Sequence, residues 1–309
     1  MSAQEHFLRG NAFFTTKDYQ SAIDEYSQAI RIEPSRASSY FNRGMTFAFM
    51  GRHERAIEDF DQTLHVNPEQ APAYHNRAIS FERTGKYERA LEDYDKAVDY
   101  DIEYVEAYIG RGIIYNNMEQ HERAIEDYDE AIRLDPYEAL AYHNRGTSYE
   151  KLGNYERAIK GYSQAIQLNQ KYALSFAGRG TSHLQLGNQD KALQDYDEAI
   201  RLDFESNLAY VNRANIHLAE RNIEAGLSDY DNAIRINPGS PEAYLNRGSV
   251  YGGQGEHERA VREFDEAIRL GPAIVMSYRN RETSLLFLGK RADARADFDK
   301  ATELESNAS

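Results

Sequence analysis

Small and aromatic residues recur along the chain in two helical stripes per unit, separated by a turn. In residues 139–172, Tyr142, Arg145, Gly146 and Tyr149 lie at spacings of three, four and seven, which is one face of a helix. Further on, Ala158, Tyr162 and Ala165 repeat that periodicity on a second segment. Glycine marks the break between the stripes at Gly51, Gly85, Gly153, Gly187, Gly255 and Gly289. Pro34, Pro68, Pro136, Pro238 and Pro272 fall just after the second stripe, and Pro72 and Pro241 open the next first stripe, where proline is tolerated. The pattern predicts an all-α chain of antiparallel helix pairs.

One residue fixes the period. Arginine stands at Arg9, Arg43, Arg77, Arg111, Arg145, Arg179, Arg213, Arg247 and Arg281, every 34 residues. In the same register a small residue follows the arginine in all copies but the last, where Glu282 replaces it. A third series runs Ala22, Ala56, Ala90, Ala124, Ala158, Ala192, Gly226, Ala260 and Ala294, each followed four residues later by Tyr or Phe. The copies span 3–36, 37–70, 71–104, 105–138, 139–172, 173–206, 207–240, 241–274 and 275–308, which predicts a single array over 3–308. Small residues let paired helices approach closely while the aromatics fill the space beside them.

This pattern, best seen in AYHNRGTSYEKLGNYERAIKGYSQAIQLN, resembles the tetratricopeptide repeat (TPR) family across essentially the whole chain. The resemblance implies a right-handed α-solenoid superhelix whose first helices line a concave, peptide-binding groove. It departs from the family pattern in carrying arginine where leucine is usual. The strict 34-residue period, with an acidic charge, disfavours the related pentatricopeptide RNA binders.

The repeated arginine shares a surface with core residues, so its charge needs a partner. Candidates are the paired aspartates of the second helix: Asp93 and Asp95, Asp127 and Asp129, Asp195 and Asp197, Asp229 and Asp231. The first of each pair is expected to bridge within its own hairpin and the second to the following one. The alternative is that the arginines line the groove and grip acidic ligands.

Binding residues are expected on the first helices. Asparagine precedes the arginine at Asn42, Asn76, Asn144, Asn212, Asn246 and Asn280, interrupted by Gly110 and Gly178. A carboxamide both donates and accepts, so such a ladder suits main-chain recognition; it equally suits local bonds that set the twist between hairpins. Specificity is expected from the variable positions one before and three after: Phe7 and Asn11, Phe41 and Met45, His75 and Ile79, Ile109 and Ile113, and His143 in the fifth copy. Of these, Phe7, Phe41, Met45, Ile79, Ile109 and Ile113 make an apolar stripe over the first four copies, reinforced by Phe14 and Phe49. A two-carboxylate clamp for chaperone tails would, by the resemblance, need lysines where Phe7 and Pro72 stand.

The formal charge of −15 argues against nucleic acid and favours basic peptides. There is no cysteine, no apolar run of membrane-spanning length and no cationic leader pattern, so a cytoplasmic protein without a membrane partner is expected. The histidines do not cluster, and no nucleophile is paired with a base, so neither enzyme activity, metal nor cofactor is expected. Where other copies put an aliphatic pair such as Ile125 and Ile132, the last has Arg295 and Thr302, which reads as a polar cap on a complete array. The predicted function is a protein- or peptide-binding adaptor. The alternative is a scaffold that self-assembles into homo-oligomers through groove or end contacts.

Overall fold

The computed structural model describes residues 1–307, among which there are eighteen α-helices and no strand. They form two compact units. The first, Met1–Leu168, holds α1 (Ala3–Thr15), α2 (Tyr19–Ile32), α3 (Ala37–Phe49), α4 (His53–Val66), α5 (Ala71–Arg83), α6 (Tyr87–Tyr100), α7 (Val105–Asn117), α8 (His121–Leu134), α9 (Ala139–Lys151) and α10 (Tyr155–Leu168). The second, from Asn169, holds α11 (Ala173–Gln185), α12 (Gln189–Leu202), α13 (Asn207–Ala219), α14 (Ile223–Ile236), α15 (Pro241–Gly253), α16 (His257–Leu270), α17 (Val275–Phe287) and α18 (Arg291–Asn307). Within each unit consecutive helices pair as hairpins, and hairpins stack on their sequence neighbours as a solenoid.

The turn glycine ends the first helix by a left-handed residue. At Gly51, φ is 70°; its N–H donates to the Ala48 carbonyl and that of Arg52 to the Phe47 carbonyl, closing a Schellman motif. Copies without glycine there put Lys17, Glu119 and Arg221 at the same positive φ. Small residues on the first helix are required where the second-helix aromatic presses against it. A Cβ on Gly112 would stand 2.7 Å from the Tyr128 ring. The series Ala22, Ala56, Ala90, Ala124 and Ala158 is wholly buried, as are Tyr94 and Tyr128 between them.

The arginines stitch hairpins together as the register predicts. Arg111 donates through Nε (3.0 Å) and Nη2 (2.6 Å) to the buried Asp127 of its own hairpin, and through Nη1 (2.7 Å) to the exposed Asp95 of the preceding one. Arg77, Arg213 and Arg281 repeat the triad with Asp93 and Asp61, Asp229 and Asp197, and Asp297 and Asp265. Arg247 uses Glu263 and Asp231. Burial disfavours the charge on Arg111, but the bonds and charge of Asp127 and Asp95 outweigh it and hold the guanidinium more firmly protonated than usual.

Arg145 is the exception. Gly161 stands where its own-hairpin carboxylate would be, so among the described residues it bonds only Asp129 and its buried Nε has no partner. A Cβ on Gly161 would lie 3.0 Å from the Gly146 Cα and the Tyr142 carbonyl oxygen, so the helices close over the missing side chain. In the last copy Arg295 and Thr302 are exposed on α18, and Phe298 lies beneath the guanidinium groups of Arg279 and Arg295.

Candidate functional site

The first unit opens a cleft of about 370 Å³ between α1 and α3, closed behind by Tyr26 of α2. Asn11, Phe14 and Thr15 form one wall, and Phe41, Asn42, Met45 and Phe49 the other. No charged side chain lines it. Phe49 is 60% exposed at the rim, edge-on to Phe14 (centroids 5.4 Å apart) and parallel to Tyr19. The Tyr26 hydroxyl and the Asn42 Nδ2 both donate to the Asn11 Oδ1, each at 2.8 Å, which fixes the polar edge.

The remaining predicted residues are placed differently. In four copies the residue two before the repeated arginine packs on the second-helix aromatic of its own copy: Phe7 on Tyr26, Phe41 on Phe60, His75 on Tyr94 and His143 on Tyr162. Ile109 is only 5% exposed and belongs to the core with Tyr128 and Ala141, correcting its expected place on an open stripe; an aliphatic side chain with no polar tip gains most by full enclosure. Ile79 and Ile113 are partly buried against the same hydrophobic layers. The open apolar surface therefore narrows from four copies to two.

The asparagines divide as well. Asn42, Asn212 and Asn280 each reach back to the preceding hairpin, donating to Asn11 (2.8 Å), the Thr181 hydroxyl (3.4 Å) and the Ser249 hydroxyl (3.0 Å). Asn76 instead bonds the Pro72 carbonyl of its own helix, and the buried Asn144 Nδ2 has no partner among the described residues. At Asn246 the second-helix tyrosine bonds elsewhere: the Tyr230 hydroxyl donates to the Asn215 Oδ1, as Tyr26 does to Asn11. At Gly110 the ladder is broken because the Tyr94 ring occupies the place: a Cβ there would lie 2.5 Å from it.

The second unit has two equivalent clefts on either side of α15. One, about 440 Å³, lies toward α13 with Asn215, Leu218, Asn246 and Val250 in its walls and Tyr230 behind. The other, about 290 Å³, lies toward α17 with Asn280, Thr283 and Phe287, and Phe264 behind. Ser249 and Gly253 belong to both. Asn246 and Asn280, expected on the groove, line these clefts; Gly252, Gly253 and Phe287 line them too, a helical turn or more further on, at the level where the sequence pattern drew attention only to Phe14 and Phe49 of the first two copies.

Among the described residues no group of His, Asp and Glu is arranged to hold a metal ion. No described helix is long and apolar enough to cross a membrane.

Family models described as tetratricopeptide repeats match residues 41–101, 105–138, 139–172, 175–206 and 211–273, and one described as a TPR repeat matches 10–51. No curated protein matches the chain. Among solved structures, a chain of the APC/C hetero-tetramer Cut9–Hcn1 superposes with TM-score 0.68 at 16% identity, over 86% of this chain and 52% of that one. A tetratricopeptide repeat protein from Parabacteroides merdae gives 0.61 at 20% identity over 92% and 98%. YrrB, described as a TPR protein with an unusual peptide-binding site, gives 0.50 at 22% identity over 60% and 95%. At these identities the likeness carries the fold.

Proposed function

Because the chain belongs to the tetratricopeptide repeat family, a family of protein-interaction scaffolds, we propose that it binds a peptide segment on its first-helix surface, with the cleft between α1 and α3 as an anchor point. The observation that carries this reading is Phe49. An aromatic side chain 60% exposed beside a concave, uncharged cleft contributes little to its own hairpin and is well placed to bury against a partner. Asn11 and Asn42 supply the polar edge that an apolar anchor with a peptide main chain needs. The unusual peptide-binding site described for YrrB is in keeping with this use of the fold.

A phage-displayed library of random peptides panned on the protein tests it. Enriched peptides should lose at least about tenfold in affinity on Phe49→Glu, which puts a charge at the rim without touching the core. If no peptide is enriched, or if Phe49→Glu binds every enriched peptide as before, the reading is wrong.

A further inference from the structure

The paired clefts around α15 contain two glycines the fold does not need. Gly248, one turn earlier, is kept small by the fold, since a Cβ there would lie 2.8 Å from the Phe264 ring and the other copies hold glycine or alanine at this position except for Glu282 in the last. At Gly252 a Cβ would make only ordinary contacts, at 3.6 Å or more, and at Gly253 it would meet nothing within 4 Å. Neither has the positive φ that favours glycine. The other copies carry side chains at these two positions, from Phe14 and Thr15 to Leu286 and Phe287. Glycine is also a poor helix former. What the pair brings is space, because Gly253 is wall to both clefts at once.

Resting on the peptide-binding reading above, we propose that the double cleft is a second recognition site, selective for an uncharged segment in the polyproline II conformation with apolar side chains at i and i+3. The clefts lie on opposite sides of one helix, so they stand on the order of one helix diameter apart, about 10 Å. A polyproline II chain has three residues per turn at about 3.1 Å each, so its i and i+3 side chains project from one edge at about that separation. Side chains on one face of a β-strand stand about 6.6 Å (i, i+2) or about 13 Å (i, i+4) apart, and so fall short of that separation or overshoot it.

The chemistry of the lining selects the same occupant. In a chain with 28% charged residues, neither cleft is lined by Asp, Glu, Lys or Arg. Leu218 and Phe287 offer apolar walls, while Asn246, Gln254 and Asn280 offer amides beside them. A polyproline II backbone has no internal hydrogen bonds, so its carbonyls are free to accept from such amides. His257 also lines the second cleft, stacked flat on the Phe287 ring with centroids 4.4 Å apart, but neither cleft offers a carboxylate, ammonium or guanidinium to a charged side chain that would lose its hydration there. The missing Cβ atoms let the main chain pass over the last turn of α15 between the two clefts.

Fluorescence anisotropy with blocked, labelled Pro/Ser peptides tests this on the full chain. One peptide carries leucine at i and i+3, a second at i and i+2, and a third has the i+3 leucine replaced by lysine. The first should bind at least tenfold more tightly than the others. Gly253→Leu should weaken it tenfold or more, and Gly253→Ala should do so partially, with Tm in both variants equal to or above that of the unaltered protein. A fall in Tm would show that the glycines are structural, and binding that ignores the spacing or survives Gly253→Leu would overturn the site. So would failure of the first peptide to bind. In each of those cases, display-selected peptides still lost on Phe49→Glu would leave the broader reading standing.

Discussion

At the scale of single residues, the repeat exposes what each position does by comparing copies within one molecule. Arg111 and Arg145 are the same residue in the same register, yet one holds three charge-assisted bonds and the other has lost its buried carboxylate. Removing Arg111 strands Asp127 in the core, which should cost about 3–5 kcal/mol. Arg145→Ala strands no buried carboxylate and deletes an unpaired Nε, so it should cost clearly less, and equal losses in chemical denaturation would refute the argument. His75 gives a second contrast. Burial against Tyr94 and Tyr104 pulls its pKa down to about 4, with Glu106 pulling weakly the other way. The folded-state value lies below the unfolded one, so the stability it permits is present above about pH 6.5 and is lost as pH falls toward 4. The loss should approach roughly 3 kcal/mol. His75→Phe, the residue found at this position in the first two copies, should flatten that part of a stability profile measured from pH 7 to pH 4.5. An unchanged profile would place the proton elsewhere.

At the scale of the helical hairpin, the turn and the helix contact obey separate rules, and the sequence discloses them unequally. The turn is nearly transparent: a left-handed residue must follow the first helix, and glycine marks it in six copies. Where Glu119 takes that conformation at φ 60°, the backbone bears a penalty that glycine avoids. Glu119→Gly is therefore expected to stabilise by about 0.5–1 kcal/mol, read as a higher Tm, and a lower Tm would show that Glu119 makes a contact worth more than its strain. The helix contact is less legible. Gly110 looks like a gap in an asparagine ladder, whereas the structure fills that gap with the Tyr94 ring. Gly110→Asn should accordingly destabilise, by about 1–3 kcal/mol of overpacking, instead of completing the ladder. Periodicity reveals that a face is buried but not which neighbour's ring reaches it. For the same reason Ile109 read as an exposed anchor and is core, while Asn42 pairs with Asn11 across hairpins.

At the scale of the whole molecule, charge and stacking separate the tasks. Along α6, Glu88, Glu92, Asp95 and Asp99 are all exposed, while the first-helix clefts of both units carry no charged lining. The acidic charge thus favours solubility without dictating what the clefts hold. Register and helix pairing could be read from the sequence because each copy repeats the same local problem. The clefts could not, because they form where neighbouring first helices diverge in side-chain size, as Phe49 and Gly253 show from opposite extremes. Stacking also governs how damage spreads. In the first unit each hairpin packs chiefly on its immediate sequence neighbours, so stability there should behave as a chain of local couplings. Arg43→Ala removes the bridge to Asp59 and the bond to the Ser27 hydroxyl, loosening the first two hairpins against each other. Native-state hydrogen exchange should then quicken most in α2 to α4, less in α5 and α6, and scarcely in α9 and α10. Equal quickening from α1 to α10 would mean that the unit opens only as a whole, and the nearest-neighbour account would fail.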